Sequence, residues 1–118
     1  MTGIEQLKLG PHDVPHGRAF LRVLAVRGSF DELCKRWCIN SEADRDDLDS
    51  FRFATLRTEQ GTLFQIEQYR EERDGYAILL LSGNPSARST ALKIANELAL
   101  PDGSYTFIDE GYCYYPGG

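Results

Sequence analysis

The apolar residues of this chain come in clusters whose spacing switches between the strand period and the helix period. Arg18 to Arg27, RAFLRVLAVR, is rich in Leu, Val and Phe and bounded by Gly17 and Gly28, which predicts a largely buried strand. Its interior Arg22 must then reach solvent or a partner. At SFDEL the period changes. Ser29, with Glu32 three residues on, forms a capping box in which each side chain satisfies a backbone donor at a helix start. Phe30, Leu33, Cys34 and Trp37 then follow at i, i+3, i+4 and i+7, one apolar stripe able to pack on a sheet. This first helix is expected over 29–38.

FRFATLR from Phe51, TLFQIEQYR from Thr62 and GYAILLLS from Gly75 read as three strands of an antiparallel meander, with Gly61 and Gly75 closing the turns between them. The third run is apolar on both faces, so it belongs at the centre of the sheet. Ala91, Leu92, Ala95 and Leu98 make a second helical stripe, from Ser86 to Leu100, ended by Pro101 and Gly103. SYTFI from Ser104 is a further strand, and strand, helix, strand in that order implies a right-handed parallel crossover.

The expected class is therefore α+β, in the order β-α-β-β-β-α-β, with a mixed, mostly antiparallel sheet and two helices on one face. This order resembles a ferredoxin-like arrangement with one extra strand. Residues 1–17, punctuated by Gly10, Pro11, Pro15 and Gly17, read as an irregular N-terminal arm or a short edge strand, which leaves 18–118 as a single domain. The tail DEGYCYYPGG can add one more edge strand.

Composition narrows the function classes. A chain of 118 residues has the length of one domain and is able to bury its own core. Its formal net charge of -5 gives no electrostatic footprint for a nucleic-acid backbone, so none is expected as a partner. The longest apolar run, Tyr76 to Leu81, is far short of the roughly 20 residues of a membrane-spanning helix. MTGIEQLKLGPHD has neither a basic n-region nor an apolar h-region, and three cysteines fit free thiols better than a disulfide framework, so a cytoplasmic location is the default.

LLLSGNPSARST, from Leu79, is the stretch closest to a phosphate loop. A P-loop needs G-x-x-x-x-G-K-[ST], yet aligning Gly83 with its first glycine puts Arg88 and Ser89 where glycine and lysine belong. Pro85 also removes an amide donor. Asn84 as N-cap and Pro85 as first helical residue account for the motif as a strand end and a helix start. A helix N-terminus still attracts anions, which makes Ser86, Arg88, Ser89 and Thr90 the anion-binding candidates.

Other constellations assemble poorly. Cys34 and Cys38, with His12 and His16, have zinc-ligand chemistry, but Pro15 keeps the histidines off a regular helix and nothing in the sequence joins the pairs. No metal, cofactor or catalytic residue is therefore assigned. Glu42, Asp44, Asp46, Asp47 and Asp49 surround Arg45 in a connection read as solvated or as a docking patch for a basic partner; Asp49 and Thr55 stand where an EF-hand needs glycine and glutamate. Tyr69, Tyr76, Tyr112, Tyr114 and Tyr115 are candidate interface residues. The terminal Gly117 and Gly118 resemble the tails of ubiquitin-like modifiers and sulfur carriers, whose folds however open with a hairpin before the main helix.

Three functions follow as expectations. The first is a non-catalytic protein-binding module (an inhibitor, immunity-type protein, adaptor or small subunit) that meets a protein with a basic surface through its acidic and tyrosine-bearing surface. The second is a small-anion or ligand-binding domain, or a small enzyme, using the start of helix 86–99 and requiring a pocket where the strand ends at Ser82. The third is a Gly-Gly-tailed carrier or modifier.

Overall fold

The computed structural model describes residues 3–8, 18–45 and 49–108. In chain order the elements are β1 (Glu5–Leu7), β2 (Phe20–Arg27), α1 (Phe30–Trp37), β3 (Glu42–Arg45), β4 (Ser50–Arg57), β5 (Leu63–Tyr69), β6 (Gly75–Leu81), α2 (Ala87–Glu97) and β7 (Tyr105–Phe107). They form one α+β domain: a seven-stranded sheet in the order β1-β4-β5-β6-β2-β7, with β3 pairing the same outer edge of β4 that β1 uses.

Every pairing among the described strands is antiparallel. The expected crossover therefore lands one strand away from β6. β6 and β7 both run antiparallel to β2 and so parallel to each other, with β2 between them. Likewise β2 and β5 are parallel with β6 between. The sub-order β7-β2-β6-β5 is that of a split βαβ, ferredoxin-like sheet, extended outward by β4.

Residues paired across strands share a face, so the register sorts the side chains into two sets. Leu24, Val26, Ala54, Leu56, Phe64, Ile66, Tyr76, Ile78 and Leu80 meet both helices in a single buried core. Phe30 stands edge-on to Tyr76 at 5.8 Å, and Trp37 Nε1 donates to Leu98 O, which ties the two helices together. The opposite face carries Phe51, Phe53, Thr55, Gln65, Glu67, Ala77 and Leu79, all buried, and neither helix packs on it. Thr55 Oγ1 accepts from Gln65 Nε2 there at 2.9 Å, which pairs two polar side chains shut away from water.

Both helices close in the same way. Cys38 (φ 56°) and Ala99 (φ 59°) occupy the left-handed position just past the helix, where glycine is usual. The N–H of Ile39 reaches back to Cys34 O and that of Leu100 to Ala95 O, the long hydrogen bond of a Schellman motif in each case. At the other end of α1, Ser29 Oγ accepts from the Glu32 N–H at 3.1 Å, as the capping box requires.

Three expectations need correction. The second helix is Ala87–Glu97, not 86–100, and its N-cap is Ser86 rather than Asn84. Asn84 Oδ1 instead accepts from the Ser86 N–H at 2.8 Å, a local turn that uses up the side chain before the helix begins. Its buried stripe is Ala91, Ile94, Ala95 and Leu98, whereas Leu92 points outward at 39% exposure. Finally, the connection after α1 contains a strand: β3 zips Glu42 to Arg45 onto the edge of β4, with all four residues exposed.

Candidate functional site

β2 is irregular where it passes the end of β6. The register shifts between Arg22 and Leu24, leaving Val23 as the extra residue of a bulge. A bulge bends its strand and re-aims the adjacent side chains, and such irregularities are over-represented beside functional sites. Next to it, β6 ends and the chain turns through Ser82 and Gly83, whose φ of +84° is one that glycine adopts without strain. Arg18 anchors that turn by donating Nε and Nη2 to Ser82 O at 3.0 and 2.7 Å. Ser82 and Ala19 complete the clamp: the Ser82 N–H donates to Ala19 O, and Ser82 Oγ accepts from the Ala19 N–H.

Between this turn, the bulge and the start of α2 opens a cleft of about 800 Å³. One side is apolar, with Leu21, Val23, Leu80, Leu81 and Ile108. The other is polar, from Ser82 through Asn84 to Ser86, Arg88 and Ser89. Behind the turn lies a smaller hollow of about 310 Å³ that includes Arg18 and Thr62. Volumes of roughly 300–1,000 Å³ are those in which proteins hold small molecules.

The polar wall has cationic character from two sources. Arg88 holds its guanidinium 4.5 Å from the centre of the Phe107 ring, a cation–π contact that fixes the charge on its first-turn position. The helix start itself adds partial positive charge. Ser86 makes no side-chain cap and no acidic residue stands in the first turn of α2, whereas α1 has both its Ser29 cap and Asp31 and Glu32. Thr90, the fourth anion candidate, lies outside the cleft; Asn84 Nδ2 donates to its hydroxyl at 3.4 Å.

Arg22 lines the cleft, but its charge is committed to the helix-free face. Its Nε donates to Glu67 Oε1 at 3.0 Å, and its two terminal nitrogens donate to the Glu72 carboxylate at 3.1 and 2.6 Å. Burial works against the cation; hydrogen bonding and charge from Glu72, then Glu67, outweigh it and hold its pKa above the ordinary arginine value. The partner that the sequence demanded for Arg22 is thus a carboxylate pair. Among the described lining residues no histidine, cysteine or carboxylate is present to act as a base, so what this wall supplies is charge and hydrogen bonding.

The partner-binding candidates gather differently. Asp44 pairs with Phe51 and Phe51 with Tyr69, so Asp44 and Tyr69 lie in one row across three strands, with Glu42 on the same helix-free face. Tyr69 sits 5.2 Å from the Phe51 ring and beneath Arg22, half-buried rather than projecting. Asp49 Oδ1 accepts from the Ser50 N–H at 2.7 Å and stands 3.6 Å from Arg70. Tyr76 belongs to the core, where burial pushes its hydroxyl up to about 12. Asp46, Asp47, Tyr112, Tyr114, Tyr115, Gly117 and Gly118 lie outside the described residues.

The zinc constellation is not joined. Cys34 is buried under α1 with its thiol raised to about 11 by desolvation, Cys38 is exposed, and His12 and His16 lie outside the described residues. Among the described residues no group of three or more potential ligands converges, and no helix is long and apolar enough to cross a membrane.

The sequence singled out Ser86, Arg88 and Ser89, but not the opposite wall. Leu21, Arg22 and Val23 come from a strand more than fifty residues earlier, and only Arg22, a charge inside an apolar run, marked that stretch. Set against protein-family models, curated proteins and solved structures, the chain matches none of them.

Proposed function

We propose that this domain is a small-anion-binding module whose ligand sits at the start of α2, in the cleft bounded by the bulge of β2. The observation that carries this reading is the cleft itself, opening just past the end of β6 at Leu81 and lined by hydroxyls and a cation. The uncapped first turn of α2 and the Arg88 guanidinium favour negative charge on one wall. Binding without catalysis accords with the chemistry of that wall.

The test is a titration followed by backbone amide NMR with inorganic phosphate, phenyl phosphate and short carboxylates. Shifts should centre on residues 82–89, and Ser89→Asp, which puts a fixed negative charge at the helix start, should remove them. If none of these anions moves those amides, the reading is wrong.

A second reading, the non-catalytic protein-binding module, is favoured by Glu42 and Asp44 lying exposed on an edge strand, with Asp44 in register with Tyr69. It calls for a protein with a basic surface, captured at low salt and released at high salt. Glu42→Lys with Asp44→Lys should abolish that capture.

A further inference from the structure

The cleft is large and half apolar, which says something about the ligand beyond its charge. Leu21, at 43% exposure, is one of only two large hydrophobic side chains left exposed among the described residues, and it stands on the cleft wall with Val23, Leu81 and Ile108. An oxyanion alone touches the polar wall and leaves that apolar surface in water. A cavity of about 800 Å³ is of the size that takes a drug-sized molecule rather than a single oxyanion.

Resting on the anion-binding reading, we infer that the ligand is an anion with an apolar body, an acyl or aryl carboxylate or phosphate monoester. Its head lies against Ser86, Arg88 and Ser89, and its body lies along Leu21, Val23 and Ile108. The division of labour is that of most small-molecule sites: apolar contact supplies affinity and a few polar groups fix the orientation. Polar and apolar side chains line one opening, so a single extended molecule reaches both.

The test is a homologous series: acetate, butanoate, hexanoate and octanoate, each below its micelle concentration, titrated by calorimetry against the full chain. Binding should strengthen about two- to fourfold per added methylene until the apolar wall is covered, as transfer of each CH₂ from water requires. Phenyl phosphate should likewise bind at least about tenfold tighter than inorganic phosphate. Leu21→Ser, at an exposed position that leaves the core intact, should flatten the series. Leu92→Ser, the other exposed leucine, lies on α2 outside the cleft and should leave it unchanged.

A flat series with binding still localised to residues 82–89 overturns this inference and leaves the anion reading standing. Absence of binding by every anion removes both. Strengthening with chain length that Leu92→Ser abolishes and Leu21→Ser spares also overturns it, because the apolar contact then lies elsewhere. Binding to anionic vesicles without binding to monomeric octanoate counts against it too, since a membrane surface is then the partner.

Discussion

Replacing Gln68 by methionine isolates one buried amide that ties four parts of the fold together. Gln68 is 8% exposed on the helical face of β5. Its Nε2 donates to Glu72 O at 2.7 Å and to Gly75 O at 2.9 Å, closing the turn between β5 and β6. Its Oε1 accepts from Arg52 Nη2, and Arg52 in turn donates to Asp31 Oδ1 at 2.6 Å and lies over the Phe30 ring, reaching α1.

Methionine keeps the length and removes the three bonds that Gln68 itself makes. Two neutral hydrogen bonds at about 1 kcal/mol each are lost. The Arg52 bond adds little, because that side chain is 40% exposed, keeps Asp31 and can recover water. The expected cost is about 2 kcal/mol, read as a lowered urea midpoint at unchanged slope and a fall in Tm of about 8 °C for a chain this size. Gln68→Glu should cost at least as much, since it turns an oxygen toward two carbonyl oxygens. Gln60→Met, in the exposed turn before β5, should stay within about 0.5 kcal/mol of the parent. If Gln68→Met unfolds at the parent midpoint, the turn carbonyls are satisfied by water and the amide is no clasp.

Three further outcomes concern the helix ends and the thiols. Cys38→Gly and Ala99→Gly each relieve a left-handed residue and should stabilise by about 0.5–1 kcal/mol, measured by denaturant unfolding; a loss at either position contradicts the assigned backbone. Alkylation at pH 8 followed by peptide mapping should modify exposed Cys38 well before buried Cys34. Because the Cys34 pKa is raised from 9.0 to about 11 in the folded chain, its contribution to stability is complete below pH 9 and is lost as pH rises through 11. Cys34→Ala should therefore reduce the alkaline decline in Tm between pH 9 and 11; an unchanged decline assigns it to other groups.

The strands that bury apolar side chains were legible in the sequence because burial imposes a period, and α1 because its cap and stripe agree. β3 was not: EADR at a sheet edge has solvent on both sides, so no hydrophobic alternation marks it. In α2 the apolar residues at 91, 92, 94 and 95 fit two stripes one step apart, and only packing against β2 and β6 selects Ile94 over Leu92. Asn84 looked like a cap because the same carboxamide chemistry serves a turn two residues earlier. Half of the cleft was visible as a helix start, while the other half depends on a bulge and a pairing partner distant in the chain.

The place of β2 between β6 and β7 has a consequence during synthesis. Leu24 pairs with Ile78 on one side and Phe107 on the other, so β2 leaves the ribosome well before either of its neighbours. Until residue 81 has emerged, RAFLRVLAVR has neither neighbour, and until 107 has emerged one of its edges stays open. A ribosome stall between those two points would display a nearly complete sheet with the outer edge of one apolar strand open, the form in which nascent copies on a polysome would join edge to edge.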